Sequence, residues 1–326
     1  MLHFLVTADH SYTLKQYFSQ WGANLRPQVR ILKYEAKPWT RDALLGTWIF
    51  TDLERLRDDE LQTVSDFAQR LTADPSRWRV LNDPRRVLLR YALLRDLAAA
   101  GINDFRAFKL SELPDGARYP LFLRRENDHA GAATDLLHDP EQLQAALRNL
   151  PNVEALLAVE YLPYQRSDGL FLKYSMMRIG TEMAPRHIHF SRHWLLKNQE
   201  LVDEPLMQEE DLYVRESPHR QMLWEVFQRA GIDYGRIDYT MANDRIQVFE
   251  INTNPILLHG IQDLAPRRWE SQVFSAQQMN DAFSKLDAGI AVADPAQLEA
   301  DHRAFRRRIR IHNVLRKLAI RPGARR

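Results

Sequence analysis

The sequence predicts an α/β region followed by an α+β region. Three observations indicate this class: strand and helix patterns alternate over the first 84 residues, apolar strand patterns dominate from there to about residue 262, and helical patterns close the chain. A chain of 326 residues, 45% of them apolar, is long enough to form two or three compact units.

The first region alternates between strand and helix. Strands are predicted in LHFLVTA and QVRILKYE, with a helix between them in SYTLKQYFSQWG. A third strand is predicted in GTWIFTDLERL, which continues into a helical segment rich in Leu and charge. Alternation of this kind favours a parallel sheet. The segment TADPSRWRVLNDP contains two Asp-Pro pairs and is interpreted as a break.

The second region combines helices with longer strands. Residues 85–100 have apolar side chains at helical spacing and end at Gly101, a suitable C-terminal cap. A helix is expected from Asp139 as N-cap, and another over 217–230. The remaining expected elements are strands in YPLFLRRE, VEALLAVEYL, GLFLKYSMMRIG and EMAPRHIHFS, and a helix in PRRWESQVFSAQQMNDAFSKL.

Composition is that of an ordinary globular protein. No apolar run approaches the roughly 20 residues that cross a bilayer, and MLHFLVTADH lacks the basic start of a signal peptide. We therefore expect a cytoplasmic protein without membrane contact. The absence of Cys excludes disulfides, thiolate metal ligands and cysteine nucleophiles.

The formal net charge of +2 conceals a basic C-terminal segment. Residues 301–326 contain ten Lys or Arg and one acid, whereas the rest of the chain has 35 basic and 42 acidic residues. This tail could contact nucleic acid or another anionic partner. The alternative, which we favour, is an amphipathic helix that packs its apolar side chains on the body and keeps its arginines in water.

The segment RIDYTMANDRIQVFEINTNP, residues 236–255, is predicted to form a hairpin with unusual polar residues. Side chains alternate along a strand, so Arg236 and Asp238 share one face of the first strand. For the same reason Glu250 and Asn252 share one face of the second. These are positions where a packed sheet prefers Val or Ile.

Whether the two polar faces coincide depends on the hairpin register. A two-residue turn over 243–244 would pair Asp238 with Phe249, whereas a three-residue loop over 243–245 or one bulge would pair Asp238 with Glu250. A metal site requires the second register. We expect a turn one residue longer to provide it.

In that register two carboxylates and an amide oxygen converge beside an arginine. Such hard oxygen ligands suit Mg²⁺ bridging a polyphosphate, and a fixed guanidinium suits anionic oxygens. Two carboxylates buried without a cation would cost on the order of several kcal/mol. From the residues alone, acids on an exposed hairpin face remain the alternative.

The pattern R-x-D, followed about a dozen residues later by E-x-N-x-x-P, resembles the Mg²⁺-binding hairpin of the ATP-grasp superfamily. The resemblance is to D-alanine:D-alanine ligases and to carboxylate–amine ligases of the ribosomal-protein glutamate ligase type. It implies an ATP-grasp fold, with ATP and two Mg²⁺ ions, which Mn²⁺ can replace. It also implies that Asp238, Glu250 and Asn252 are the metal ligands and that Arg236 is the catalytic residue stabilising developing charge.

Segments upstream of the hairpin follow the order found in the superfamily. VLNDPRRVLLRYALLRDLAAAGI resembles the helix that presents a phosphate-binding lysine, and here that place holds Arg90. YPLFLRRENDHAGAATD resembles the P-x-x-x-K strand and the small-residue loop over the triphosphate, with Arg124 in the lysine place and Gly131 in the loop. Both replacements keep the charge, but a guanidinium has a different reach from an ammonium.

The resemblance assigns four further nucleotide contacts. LLAVEYL resembles the hinge strand that meets adenine, with Glu160 and Leu162 as the candidates. Asp168 is the acid best placed for the ribose hydroxyls, and Lys197 stands where many relatives have another phosphate-contacting lysine. The alternatives are an ordinary strand end for Glu160 and an ordinary surface position for Lys197.

The strand PRHIHFSRHW concentrates basic residues. His187 and His189 would project from one face and Arg186 from the other. A zinc site is not favoured, because no third carboxylate or thiolate lies at a suitable local spacing. Arg186 and His187 are candidates for binding substrate or phosphate, and a solvated or self-paired strand face is the alternative.

The resemblance therefore implies an ATP-dependent carboxylate–amine ligase that forms an amide or peptide bond through an acyl phosphate. A phosphotransferase of the same fold and a non-catalytic nucleotide-binding protein remain alternatives. Expected substrates are small-molecule or peptide carboxylates and amines. The expected organisation is a small N-terminal α/β domain (1–84), two α+β subdomains enclosing the nucleotide (85–162 and 163–262) and a helical basic C-terminal extension (263–326).

Overall fold

A computed structural model describes residues 1–40, 43–127, 131–196, 201, 203–264 and 266–286. In these ranges the strands are β1 (Leu2–Val6), β2 (Val29–Lys33), β3 (Gly46–Phe50), β4 (Trp78–Leu81), β5 (Ala107–Lys109), β6 (Leu121–Arg125), β7 (Leu156–Glu160), β8 (Phe171–Ile179), β9 (Glu182–Ser191), β10 (Tyr234–Ala242) and β11 (Arg245–Asn252). The helices are α1 (Ser11–Ser19), α2 (Asp58–Thr72), α3 (Arg90–Ala99), α4 (Pro140–Asn149), α5 (Glu204–Glu216), α6 (Arg220–Ala230) and α7 (Trp269–Leu286). The predicted basic tail and Lys197 lie outside the described residues.

The N-terminal sheet is parallel, with strand order β2-β1-β3-β4, as the alternating pattern predicts. Successive side chains of β1 face opposite layers: Phe4 packs with α1, and Leu5 packs with α2. The strand β4 lies within the segment that was interpreted as a break, so that interpretation is wrong. Trp78 and Val80 of β4 share one face of the strand, as alternation requires. The two flanking Asp-Pro pairs obscure this short pattern in the sequence.

Two antiparallel sheets follow, with strand orders β5-β7-β6 and β11-β10-β8-β9. The helix α3 begins at Arg90, five residues later than predicted. The preceding segment is held away from a helical conformation, since the Leu88 backbone N–H donates to the Ala230 carbonyl at 2.8 Å. Gly101 follows α3 with φ +68°, as expected of a C-terminal glycine. The sequence patterns did not predict β5 or α5.

The helix α7 joins the N-terminal domain to the larger antiparallel sheet. Its Phe283 packs against Phe4 of β1 and Tyr234 of β10, with ring centroids 6.0 and 6.1 Å apart. All three rings are fully buried. The first part of the predicted C-terminal extension therefore belongs to a shared core.

Two buried asparagines also connect the N-terminal sheet to the β10–β11 hairpin. The Asn82 amide donates to the carbonyls of Phe50 (2.9 Å) and Tyr234 (2.7 Å), and its oxygen accepts from the Tyr234 backbone N–H. The Asn254 amide donates to the Asp52 carboxylate at 3.0 Å. These bonds hold the hairpin at the edge of the N-terminal domain.

Candidate functional site

The β10–β11 hairpin pairs Asp238 directly with Glu250. The expected longer turn is wrong: Asn243 and Asp244 form a two-residue turn, each with positive φ, as tight hairpins require. A bulge supplies the register instead, because Tyr239 pairs with Val248 and leaves Phe249 as an extra residue in β11. Both carboxylates consequently lie on the same face of the sheet.

Asp238 is held by neighbours on its own face. It is only 3% exposed and accepts hydrogen bonds from Ser175 Oγ at 2.7 Å and from Arg236 Nε at 2.9 Å. Lys173 Nζ lies 3.8 Å from its Oδ2 atom. Three side chains from β8 and β10 thus fix this carboxylate and place positive charge around it.

Glu250 is held by Arg90 and Arg124, the two arginines at positions where the resemblance implied lysines. Arg90 Nη2 lies 2.5 Å, and Arg124 Nη2 lies 2.9 Å, from Glu250 Oε2. Arg90 is anchored by further bonds to the carbonyls of Arg125 (3.0 Å) and Glu126 (2.5 Å). The helix α3, the strand β6 and the hairpin therefore bring these three side chains together from distant parts of the sequence.

A cavity of about 400 Å³ lies between the three-stranded sheet and the four-stranded sheet, and these charged groups are at one side of it. The charged and amide residues that line it are Arg124, Glu160, Lys173, Arg236, Asp238, Glu250 and Asn252. Its apolar and aromatic lining consists of Leu94, Phe105, Phe122, Ala132, Val159, Tyr161, Leu162, Tyr164, Trp194, Leu195, Leu196 and Phe249. A cleft with a flat aromatic part and a charged part suits a ligand with an aromatic ring and anionic groups.

The donor set of the hairpin fits a hard cation. Asp238 and Glu250 face each other, and Asn252 continues the same face of β11. Among the described residues, no group of three or more His, Cys, Asp and Glu side chains could hold a metal by itself. Mg²⁺ is commonly bound by one or two carboxylates together with substrate phosphates, so two carboxylates and an amide are a suitable set.

The residues predicted to contact adenine line the cavity, whereas the residue predicted to contact the ribose does not. Glu160, Tyr161 and Leu162 line the cavity, but the Glu160 side chain is held by Arg106 (2.5 Å) and Arg118 (2.7 Å). Burial alone would raise the pKa of Glu160, but hydrogen bonds from the two arginines lower it to about 2. Its carboxylate therefore acts as a counter-ion to the two arginines, and the contact of this strand end with adenine stays a prediction.

Asp168 is not among the described residues that line the cavity, and its assignment to the ribose stays a prediction. Its carboxylate is paired with Arg166 Nη2 at 2.7 Å and accepts from the Leu170 backbone N–H at 3.1 Å. Gly131, in contrast, does line the cavity. It has φ +96°, a conformation that favours glycine.

Arg186 and His187 are buried beside α7 and do not line the described cavity. Arg186 Nη1 donates to Ser275 Oγ of α7 at 2.8 Å. The regular alternation behind the prediction that Arg186 projects from the opposite face to the two histidines is interrupted at this residue. It occupies a bulge, since Ser175 pairs with His187 and Met176 with Pro185, which leaves Arg186 as the extra residue.

Several site residues were missed in the sequence. Lys173 and Ser175 alternate on the predicted strand GLFLKYSMMRIG, and this spacing of two polar residues in an apolar strand was the available signal. Trp194, which packs against Phe122 at a centroid distance of 5.0 Å, carried no comparable signal. Neither did Arg106 or Arg118, whose role depends on contacts with a distant strand.

Together, the N-terminal parallel sheet and the two antiparallel sheets around the cavity define an ATP-grasp fold, which confirms the expected fold class. The structure is similar to a D-alanine–D-alanine ligase from Bacillus anthracis, with a TM-score of 0.50 and 12% identity over 87% of this chain and 96% of that one. It is also similar to the D-cycloserine synthetase DcsG, with a TM-score of 0.50 and 13% identity over 88% of this chain and 100% of that one.

Sequence comparison adds no closer relationship. No protein-family model matches the chain, and no curated protein matches it in sequence. The structural similarity, at such low identity, defines the fold alone. Separately, none of the helices in the described ranges is both long and apolar enough to cross a membrane.

Proposed function

We propose that the protein is an ATP-dependent carboxylate–amine ligase. The observation that carries this proposal is the pairing of Asp238 with Glu250 at a cavity that also has a largely aromatic and apolar wall. On an ATP-grasp fold, this arrangement suits a nucleotide with its base in the apolar part and its phosphates near the carboxylates. The proteins of similar structure are named as ligases or synthetases, in agreement with this reaction class.

The nucleotide would be bound by residues from both antiparallel sheets. The segment around Leu162 would meet the adenine, with Tyr164 and Phe249 as apolar walls. Arg90 and Arg124 would bind the phosphates, exchanging a carboxylate partner in Glu250 for phosphate oxygens. The predicted subdomains 85–162 and 163–262 would then be the two halves that enclose ATP.

Magnesium fits the carboxylate pair. Asp238, Glu250 and Asn252 would hold it, and the bound metal would neutralise phosphate charge during transfer. Mn²⁺ offers the same preference for hard oxygen ligands. Ser175 and Arg236 keep the Asp238 carboxylate oriented toward this role through bonds of 2.7 and 2.9 Å.

The reaction would proceed in two transfers. An oxygen of the substrate carboxylate attacks the γ-phosphorus, the bond to the β–γ bridging oxygen breaks, and ADP leaves. The amine nitrogen then attacks the carbonyl carbon of the acyl phosphate, phosphate leaves with the electrons of the C–O bond, and the nitrogen loses a proton. Arg236, 19% exposed at the edge of the cavity, would stabilise the negative charge on the tetrahedral oxygen.

The test is to incubate the protein with ATP, Mg²⁺ and a panel of carboxylates and amines. ADP release and the mass of any amide product are measured together. We expect ADP release that needs both a carboxylate and an amine, and we expect Asp238→Asn to abolish it. A phosphorylated product formed without amine would instead show a phosphotransferase, and ATP binding without turnover across the panel would show a nucleotide-binding protein.

A further inference from the structure

A row of polar side chains crosses the whole four-stranded sheet and continues beyond the carboxylate pair. His187 of β9 pairs with Ser175 of β8, Ser175 pairs with Asp238 of β10, and Asp238 pairs with Glu250 of β11. Directly paired residues in antiparallel strands share a face. His187 therefore lies on the same face as the proposed metal ligands, two strands away from Asp238.

The neighbouring Arg186 is a buried cation without an acidic partner. It is 2% exposed, and its guanidinium donates only to neutral oxygens, Ser275 Oγ at 2.8 Å and Gln272 Oε1 at 3.4 Å. Among the described residues it forms no ion pair, and its Nε atom has no hydrogen-bond partner. A buried charge in such surroundings costs free energy unless an anion accompanies it.

The histidines beside Arg186 add one buried ring nitrogen that is also without a partner. The rings of His187 and His189 stack with centroids 4.0 Å apart, and His189 Nδ1 is buried without a partner. Burial first, and then the positive charges of Lys173, Arg268 and Arg236, lower the pKa of His189 to about 2. The imidazoles are consequently neutral at physiological pH and offer N–H groups to an acceptor.

Cations outnumber carboxylates around this cluster. Arg268 is paired with Glu210 at 2.8 Å, and Arg236 is paired with Asp238 at 2.9 Å. Arg186 remains as an additional positive charge. Burial lowers the pKa of Arg186 to about 9, so its guanidinium stays protonated at neutral pH. The cluster thus has unused hydrogen-bond donors and uncompensated positive charge.

We propose that Arg186, His187 and His189 form a subsite for a second, non-reacting anionic group of the substrate. The group is an oxyanion, carboxylate or phosphate, that accepts hydrogen bonds from these side chains while the reacting carboxylate lies near Arg236. The preferred substrates would carry at least two anionic groups. This inference rests on the ligase function proposed above for the position of the reacting carboxylate.

The first test measures binding without turnover. Full-length protein is titrated at constant ionic strength with succinate, with butyrate of equal carbon number, and with phosphoglycolate, and the imidazole resonances of the histidines are followed by NMR. We expect succinate or phosphoglycolate to bind about tenfold or more tightly than butyrate, because each charge-assisted hydrogen bond contributes substantially. Which of the two binds more tightly identifies the anion.

Variants then separate an anion site from a structural role. Arg186→Gln keeps a polar group near Ser275 but removes the charge, and we expect it and His189→Gln to lose the tenfold preference. Arg186→Lys should retain part of it. The control is His219→Gln, because His219 bonds to Tyr239 on the other side of the sheet and should leave anion binding unchanged. A lower melting temperature with an unchanged preference for the dianion would overturn the proposal.

Turnover distinguishes failure of this inference from failure of the ligase proposal. Equal kcat/KM for mono- and dianionic carboxylates in the wild type and in Arg186→Gln would refute the subsite and leave the ligase function standing. Dianion binding that depends on Arg186, without ADP release for any carboxylate and amine, would establish the subsite and refute the ligase.

Discussion

Asp238 and Glu250 face each other across the β10–β11 hairpin because one residue, Phe249, bulges out of register. The two-residue turn alone would have placed Phe249 opposite Asp238. The bulged residue also lines the cavity, where its ring packs against Tyr164 at a centroid distance of 5.6 Å. One irregularity thus brings the carboxylates together and supplies part of the apolar wall.

Glu250→Gln should remove metal-dependent ADP release while the protein stays folded. Glutamine has nearly the shape of glutamate but no charge for a metal, so we expect kcat/KM to fall by about 100-fold or more. ADP release at several Mg²⁺ concentrations measures the effect. Asp96→Asn is the control, because Asp96 pairs with Arg229 at the surface. Turnover equal to the control would refute the role of Glu250.

Arg124→Lys tests whether the guanidinium at this position binds phosphate. Lysine keeps the charge but cannot form two parallel hydrogen bonds, so the Kd for ATP should rise by about tenfold. Isothermal titration with ATP and Mg²⁺ provides the measurement. Arg125→Lys is a matched control one residue away, since Arg125 donates to the Pro151 carbonyl at the surface. Equal ATP affinity in both variants would exclude Arg124 as a phosphate ligand.

Glu160→Gln should change the acid stability of the protein. The folded-state pKa of Glu160, about 2, lies below its ordinary value near 4.5, so the ionised group stabilises the fold above pH 4.5. That stabilisation is lost as the pH falls from about 4.5 toward 2. At pH 7 the substitution should cost on the order of 3 kcal/mol, with a smaller cost toward pH 2.

Urea unfolding of the wild type and Glu160→Gln at several pH values tests this expectation. The two stability curves should converge as the pH falls. Glu154→Gln, at an exposed position just before the same strand, controls for the loss of a negative charge. A constant difference between wild type and Glu160→Gln from pH 7 to pH 3 would contradict the role of the two arginines.

Asn82→Ala should destabilise the whole fold. The substitution leaves the buried carbonyls of Phe50 and Tyr234 and the Tyr234 N–H without partners, and it places alanine at φ +55°. We expect a loss of about 3 kcal/mol or more in the free energy of unfolding. Thermal and urea unfolding measure it. Asn149→Ala, at an exposed helix end, should change stability much less, and an equal effect would refute the connecting role of Asn82.

Local patterns were sufficient to predict much of the fold. The strands β1 and β8 and the helix α4, with Asp139 accepting from the Gln142 N–H at 2.8 Å, follow from alternation and capping residues that are close in sequence. The same alternation placed Asp238 and Glu250 on strand faces. The short strands β4 and β5 were not predicted, because three or four residues carry too little periodicity.

Residue types and spacing along the chain were therefore enough for most of the strands, for the hairpin and for the polar side chains that it carries. Tertiary packing decided which side chains contact one another. Examples are the Phe249 bulge, the ion pairs of Glu160 with Arg106 and Arg118, and the burial of Arg186 under α7. The physical reason is that the periodicity of a sequence indicates only which side chains are neighbours within a single helix or strand. Which charges meet depends on how elements far apart in sequence are brought together by the common core.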